Sequence, residues 1–254
     1  MKRQYLFIMV ALVLTTSVWA QEFKLAKSTG ELNIQEVNNV RIEGYSGNEI
    51  VFTSSTFSRD RDDRANGLRA ISSMGLEDNT GLGLSVVETN GTIEVRQLKK
   101  MDGPNVLIKV PQGVNVKYVH TSPYGDDVTI KNFAGELYVS TVHNDVQLMN
   151  VTGELTIRTV HGDIDASFSS PINKTVSLTS THGHVDAALP IATKANLKLN
   201  TSWGEIFVDP DFKLEFDKSG TMIKYSDKMT AKINGGGAEI TLSSTHDNVY
   251  LRKK

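Results

Sequence analysis

Cysteine is missing altogether from the 254 residues, which excludes disulfide staples and a lipid-anchored cysteine. Stability must therefore come from ladder hydrogen bonds and stacked apolar side chains. Surplus positive charge is missing too. The 27 Lys and Arg stand against 29 Asp and Glu, a formal charge of −2 at pH 7, so there is no footprint for nucleic acid. The apolar run from Tyr5 to Leu14 is too short to cross a membrane as a helix. Strands of about ten residues with aromatic girdles, the mark of an outer-membrane barrel, are missing as well. Neither a nucleophile elbow nor a phosphate-loop lysine after Gly235-Gly236-Gly237 is present, so no catalytic residue is assigned.

What is there begins with an export signal at residues 1–20. Lys2 and Arg3 supply the positive start, Tyr5 to Leu14 the apolar core, and Val18-Trp19-Ala20 a small-residue cleavage site before Gln21. No further span follows once it is removed, and residues 21–254 read as one elongated β-strand repeat domain.

One short unit is written again and again. The copies GELYVSTVHNDVQL, GELTIRTVHGDIDA, KTVSLTSTHGHVDA, NLKLNTSWGEIFV and AEITLSSTHDNVYL align on His143, His161, His182, Trp203 and His246. Leu137, Leu155, Val176, Leu197 and Ile240 then share a slot, and so do Thr141, Thr159, Ser180, Thr201 and Ser244. Each copy is a period-2 strand, a polar break and a second period-2 strand, with one face apolar throughout. The aligned centres lie 18, 21, 21 and 43 residues apart, the last close to two periods. Such a period predicts an all-β, single-domain parallel β-solenoid, a β-helix-like stack of repeats of about 18–21 residues. The clearest copies are 135–208 and 238–251. Gly162, Gly183 and Gly204 fill the slot after the ring, matched by Asn144 and Asp247, which predicts a positive φ there. The serines and threonines are expected to satisfy backbone groups at the corner.

The rest of the chain is looser. Residues 22–51 predict the first coil or coils, an atypical terminal unit. Residues 59–83 form a charged loop insert with Arg59, Arg61, Arg64 and Arg69 among Asp60, Asp62 and Asp63. It reads either as a binding excursion or as a loop with no task. Asn90-Gly91 predicts a tight hairpin. Val114, Val116, Tyr118, Val128 and Ile130 make an imperfect copy ahead of the clean ones, and residues 213–227 suggest an added hairpin or a degenerate coil.

KVPQGVNVK, the strand–Thr–x–aromatic–Gly–Asp/Glu–apolar unit and the closing NGGGAEITLSSTHDNVYLRK resemble a bacterial adhesin-like family of β-strand repeat proteins, a domain of unknown function. The Ala20–Gln21 junction resembles exported proteins of Bacteroidetes-type bacteria. The resemblance implies an exported, right-handed β-helix-like fold and carries over no catalytic residues.

Stacked coils predict a ladder of His143, His161 and His182, about 4.8 Å apart, with Trp203 in the same slot and Asp145, Asp163, His184 and Glu205 alongside. His143, His161, His182, Trp203, Asp145 and Asp163 are the candidate binding residues. Imidazoles and carboxylates in such a row could hold a divalent cation. The competing reading is that flat rings fill a corner, since tryptophan cannot ligate a metal, and no metal or cofactor is assigned. A carbohydrate-active β-helix would use Asp127, Asp145, Asp163 and Glu205 across coils, but an acidic residue after glycine is ordinary turn chemistry. The expectation is a non-catalytic protein of a Gram-negative envelope, periplasmic or at the cell surface, presenting a rigid face to a glycan or protein partner.

Overall fold

A computed structural model describes residues 21–54, 63–216 and 228–254. The export signal, Arg59 to Asp62 of the insert and the Ser219-Gly220 turn lie outside the described residues. Among the described residues, regular alternation becomes strand. In chain order these are β1 (Gln21–Ala26), β2 (Thr29–Gln35), β3 (Asn39–Tyr45), β4 (Glu49–Ser54), β5 (Leu84–Thr89), β6 (Thr92–Gln97) and β7 (Asn105–Pro111). The middle holds β8 (Gly113–His120), β9 (Val128–Lys131), β10 (Leu137–Thr141), β11 (Val146–Met149), β12 (Leu155–Thr159), β13 (Ile164–Ser167), β14 (Val176–Ser180) and β15 (Val185–Leu189). The remainder is β16 (Ala195–Thr201), β17 (Ile206–Val208), β18 (Leu214–Glu215), β19 (Lys228–Ile233), β20 (Ala238–Ser244) and β21 (Val249–Lys253).

They form two large, mostly parallel sheets, and the architecture is β-solenoid-like. The first sheet runs β1-β4-β7-β3-β9-β11-β13-β15-β21-β17 and the second β18-β19-β16-β20-β14-β12-β10-β8-β2-β6-β5. Each repeat gives one strand to each sheet. In the second sheet Leu137, Val139 and Thr141 pair with Leu155, Ile157 and Thr159, and in the first Val146 and Leu148 pair with Ile164 and Ala166. All of these point between the sheets and are buried. Burial of each Leu, Ile or Val side chain contributes about 1.5–3 kcal/mol, repeated at every rung.

The stacking order departs from the chain order at both ends. The last copy is not the last coil: β20 and β21 lie between β14–β15 and β16–β17, parallel to both. Nor do residues 22–51 supply the first coil. β2 and β3 sit between β6–β7 and β8–β9. Counting periods assumes that neighbours in sequence are neighbours in space. A strand that carries the template can pair with any other that carries it, and long excursions cost little loop-closure entropy.

Antiparallel strands cover the ends: β5 on β6 and β4 with β1 on β7 at one end, β19 with β18 on β16 at the other. The β5–β6 turn has Asn90 and Gly91 both at positive φ, 51° and 85°, as a two-residue hairpin requires. No helix among the described residues is long and apolar enough to cross a membrane.

Candidate functional site

The corner between the sheets is built from the hydroxyl slot outward. Ser180 Oγ accepts from the Gly183 N–H at 2.9 Å and donates to the Gly162 carbonyl at 2.9 Å. Ser244 accepts from the Asp247 N–H and donates to the Gly183 carbonyl. Thr201 accepts from the Gly204 N–H and donates to the Asp247 carbonyl. Thr159 accepts from the Gly162 N–H, and Thr141 donates to the Asn144 carbonyl. The result is a hydrogen-bonded relay through successive coils, in spatial rather than chain order.

The glycines of this corner correct the expectation of positive φ. None of Gly162, Gly183 and Gly204 has a left-handed backbone. Their requirement is contact: an added Cβ would lie 2.1 Å from the Asn144 carbonyl oxygen at Gly162, 2.1 Å from that of Gly162 at Gly183, and 2.2 Å from that of Asp247 at Gly204. Left-handed residues occupy the opposite corner instead, at Asn132 and Asn150.

The acidic residues of the break form a second ladder. Asp145 Oδ1 accepts from the Asp163 N–H, and Asp163 Oδ1 from the His184 N–H, both at 2.8 Å. Asn248 Oδ1 does the same for the Glu205 N–H. These are turn-capping duties. Asp127 sits beside Asp145, and burial first, then that neighbouring charge, raise its pKa.

Outside both ladders runs a ridge of rings. His143 and His161 stack at 5.3 Å, His161 and His182 at 4.8 Å, and His182 and His246 at 4.6 Å, with planes within 12° of parallel. Trp203 continues the row at 6.4 Å from His246. The four imidazoles are exposed and Trp203 is 77% exposed. Burial, followed by the charges of His246 and His161, lowers the His182 pKa. Lone pairs of parallel rings lie in parallel planes and do not converge on a point 2.0–2.1 Å from each nitrogen, which zinc ligation demands. No group of three or more potential metal ligands gathers among the described residues.

Beside the ridge, the outer face of the first sheet carries a charged and aromatic patch. His184 Nδ1 lies 3.1 Å from Asp163 Oδ1 and its Nε2 3.1 Å from Asp165 Oδ1. Burial opposes protonation of this ring, but the Asp165 hydrogen bond and the charges of Asp163, Asp165 and Asp186 outweigh it and raise the pKa. Arg252 Nε donates to Asp186 at 2.6 Å and the guanidinium lies over the Tyr250 ring at 5.0 Å. Phe207 stacks on Tyr250 at 5.3 Å. Sequence reasoning missed Tyr250, Phe207 and Arg252. Gln147, Asp165, Asp186, Phe207 and Tyr250 share one slot of the repeat, so their alignment was legible, but their differing chemistry gave no signal.

His120 stands in the hydroxyl slot of the coil before the clean copies, paired with Thr141. It is fully buried, its Nε2 lies 3.1 Å from Asn38 Oδ1, and burial lowers its pKa. In the insert, Asp78 accepts from the backbone N–H groups of Thr80, Gly81 and Gly83, and Arg69 pairs with Glu77 at 2.5 Å. Leu68, Ile71 and Met74 of the same loop are exposed.

Fold and corner together define the class: an all-β, solenoid-like protein of two mostly parallel sheets with stacked turn ladders. The chain belongs to the Toastrack DUF4097 family, whose model matches residues 11–252. No curated protein matches it. Among solved structures it is similar to a candidate cell adhesion protein from Clostridium sporogenes, at 10% identity and a TM-score of 0.44, covering 93% of this chain and 100% of that one. It is also similar to a candidate adhesin from Bacteroides fragilis, at 12% identity and a TM-score of 0.39, covering 94% and 98%.

Proposed function

We propose that the protein is an exported, non-catalytic binding scaffold of the cell envelope that presents the ring ridge and the adjoining patch to a glycan or protein partner. The observation that carries this reading is the exposure of five stacked rings in a row, ending in Trp203. Large aromatic side chains are kept in water at a cost, and a contiguous exposed set marks an interaction surface. The rungs beneath are tied by the hydroxyl relay, so the ridge is rigid before binding and loses little entropy on contact. The chain has 2 tryptophans, Trp19 and Trp203, and the first falls within the export signal. After processing, tryptophan fluorescence therefore reports on the ridge alone. Titration with solubilised cell-wall glycan and with detergent-extracted envelope proteins is expected to shift Trp203 emission saturably, and His182→Ala with His246→Ala to weaken the shift. An emission unchanged by every envelope fraction would overturn the reading.

A further inference from the structure

Three strips run side by side along the break corner, each with one member per coil. The middle strip is the ring row, where His143, His161, His182 and His246 stand 4.6–5.3 Å apart. On the second-sheet side each ring is preceded by a half-buried β-branched side chain: Val142, Val160, Thr181 or Thr245. On the first-sheet side lie Asp145, Asp163, His184 and Asn248, also half-buried. The Oδ1 atoms of Asp145 and Asp163 cap the next turn, whereas their Oδ2 atoms accept no hydrogen bond from the described residues.

His161, His182 and His246 are each stacked on both faces, so the ridge offers ring edges rather than faces. A neutral imidazole carries one N–H donor and one bare acceptor nitrogen. No ring nitrogen of the four has a hydrogen-bond partner among the described residues. Each coil of the row therefore presents a donor, an acceptor and a small C–H surface at one repeating interval, and two coils add a carboxylate oxygen. This set selects among ligands. A polyanion is repelled by Asp127, Asp145 and Asp163 beside the ridge. An extended peptide advances about 3.2–3.4 Å per residue and loses register after a single rung. A helical peptide needs an apolar groove, and this corner is a polar ridge. An extended β-1,4-linked glycan advances per sugar by a step within the ring interval. Each of its sugars brings hydroxyls that both donate and accept, and C–H groups that can lie on the Val and Thr strip.

We propose that the ridge binds an uncharged, extended β-1,4-linked glycan lengthwise, one sugar to each coil, its hydroxyls bonded to the ring edges and to the carboxylate strip. This rests on the reading of the ridge as the contact surface, and adds the class, direction and spacing of the ligand. Affinity then grows with chain length until the glycan spans the row, because each further sugar meets one more equivalent rung.

The test is isothermal titration calorimetry on the chain purified after export, with cello-oligosaccharides and N-acetylated chito-oligosaccharides of increasing length as probes. Affinity for at least one series is expected to rise by roughly two- to tenfold per added sugar, the yield of one net hydrogen bond, and to level off once the row is covered. Malto-oligosaccharides, whose α-linkage coils the chain, are expected not to bind. His161→Ala interrupts the row and should reduce a long probe to the affinity of a short one. His161→Phe keeps a flat ring in the stack but removes its nitrogens, and should weaken binding as His161→Ala does. The proposal is overturned if neither series binds, if affinity ignores length, if malto-oligosaccharides bind equally, or if His161→Phe binds like the unmodified protein. Should Trp203 emission then still respond to an envelope protein or a charged glycan, the scaffold reading stands without this ligand. An emission silent to every envelope fraction removes both.

Discussion

Ser180→Ala isolates the corner relay from the ring ridge above it. Ser180 is fully buried at the centre of the relay, and its hydroxyl serves two backbone groups at once, the Gly183 N–H and the Gly162 carbonyl. Both glycines are themselves buried. Removing the hydroxyl leaves a donor and an acceptor without water or partner, at about 1–3 kcal/mol for each group. Because the void is only one oxygen in size, unpaired polarity rather than lost packing sets the cost. The expected loss is about 2–6 kcal/mol, the sum of the two unsatisfied-group costs. In a chain of this size that lowers Tm by about 4–24 °C, at about 2–4 °C for each kcal/mol. Far-UV circular dichroism melts, with urea unfolding as the second axis, measure it. Ser243→Ala is the control: half-exposed on the other face of the same strand pair, its Oγ accepts only from Asn200 Nδ2 at 3.1 Å. It should stay within about 0.5 kcal/mol of the unmodified protein. Ser180→Thr keeps the hydroxyl and copies the residue at 159, so it should recover most of the loss. If Ser180→Ala melts no lower than Ser243→Ala, the relay is not what holds the corner.

Two further outcomes follow from the same geometry. Gly183→Ala places a Cβ 2.1 Å from the Gly162 carbonyl oxygen, which is backbone and cannot swing aside, so its urea midpoint should fall by the equivalent of about 3 kcal/mol or more. Gly91→Ala, by contrast, meets nothing within 4 Å and strains only its left-handed φ, and should cost about 1 kcal/mol. The histidines should set opposing pH trends. His120 has a lowered folded pKa, so its contribution is present above the ordinary value of 6.5 and lost as pH falls through the folded value. His184 has a raised folded pKa, so its contribution is present below 6.5 and lost as pH rises through the folded value. Melting curves from about pH 5 to 8, across the titration range of histidine, should therefore show His120→Gln flattening the acid loss and His184→Ala steepening it. The same slope in both variants would contradict the assignment.

How much of this was legible depends on whether a residue's role is set by its slot or by its neighbour. Register was legible, because Leu137, Leu155 and Val176 repeat at positions whose side chains must share a face. The ring ladder was legible for the same reason, and the spacing of stacked strands fixes its rise near the observed 4.6–5.3 Å. The reason for glycine at 162, 183 and 204 was not. Asn144 and Asp247 in the same slot suggest a left-handed backbone, yet the demand comes from a carbonyl one coil away, which no single copy displays. The patch of Tyr250, Phe207 and Arg252 was hidden because an outward slot is free to vary in chemistry from coil to coil.

Stacking order was the deepest omission, and it changes what the corner means. The relay passes from the Gly183 carbonyl to Ser244 and from the Asp247 carbonyl to Thr201, so the last repeat of the chain is its middle link. The ring ladder likewise passes from His182 through His246 to Trp203. Without β20 and β21, β14 and β16 share no partner and Trp203 has no ring against which to stack. Coils that follow one another in sequence can form as the chain collapses locally. The two inserted coils need pairings of long sequence separation, which are slow to form because loop closure precedes their reward. β2 and β3 pose the same problem at the other end, between coils contributed by much later strands. The exposed ridge and the buried relay are therefore completed by the same late step. A ridge with its full row of rings exists only on a chain whose last repeat has already been threaded into place.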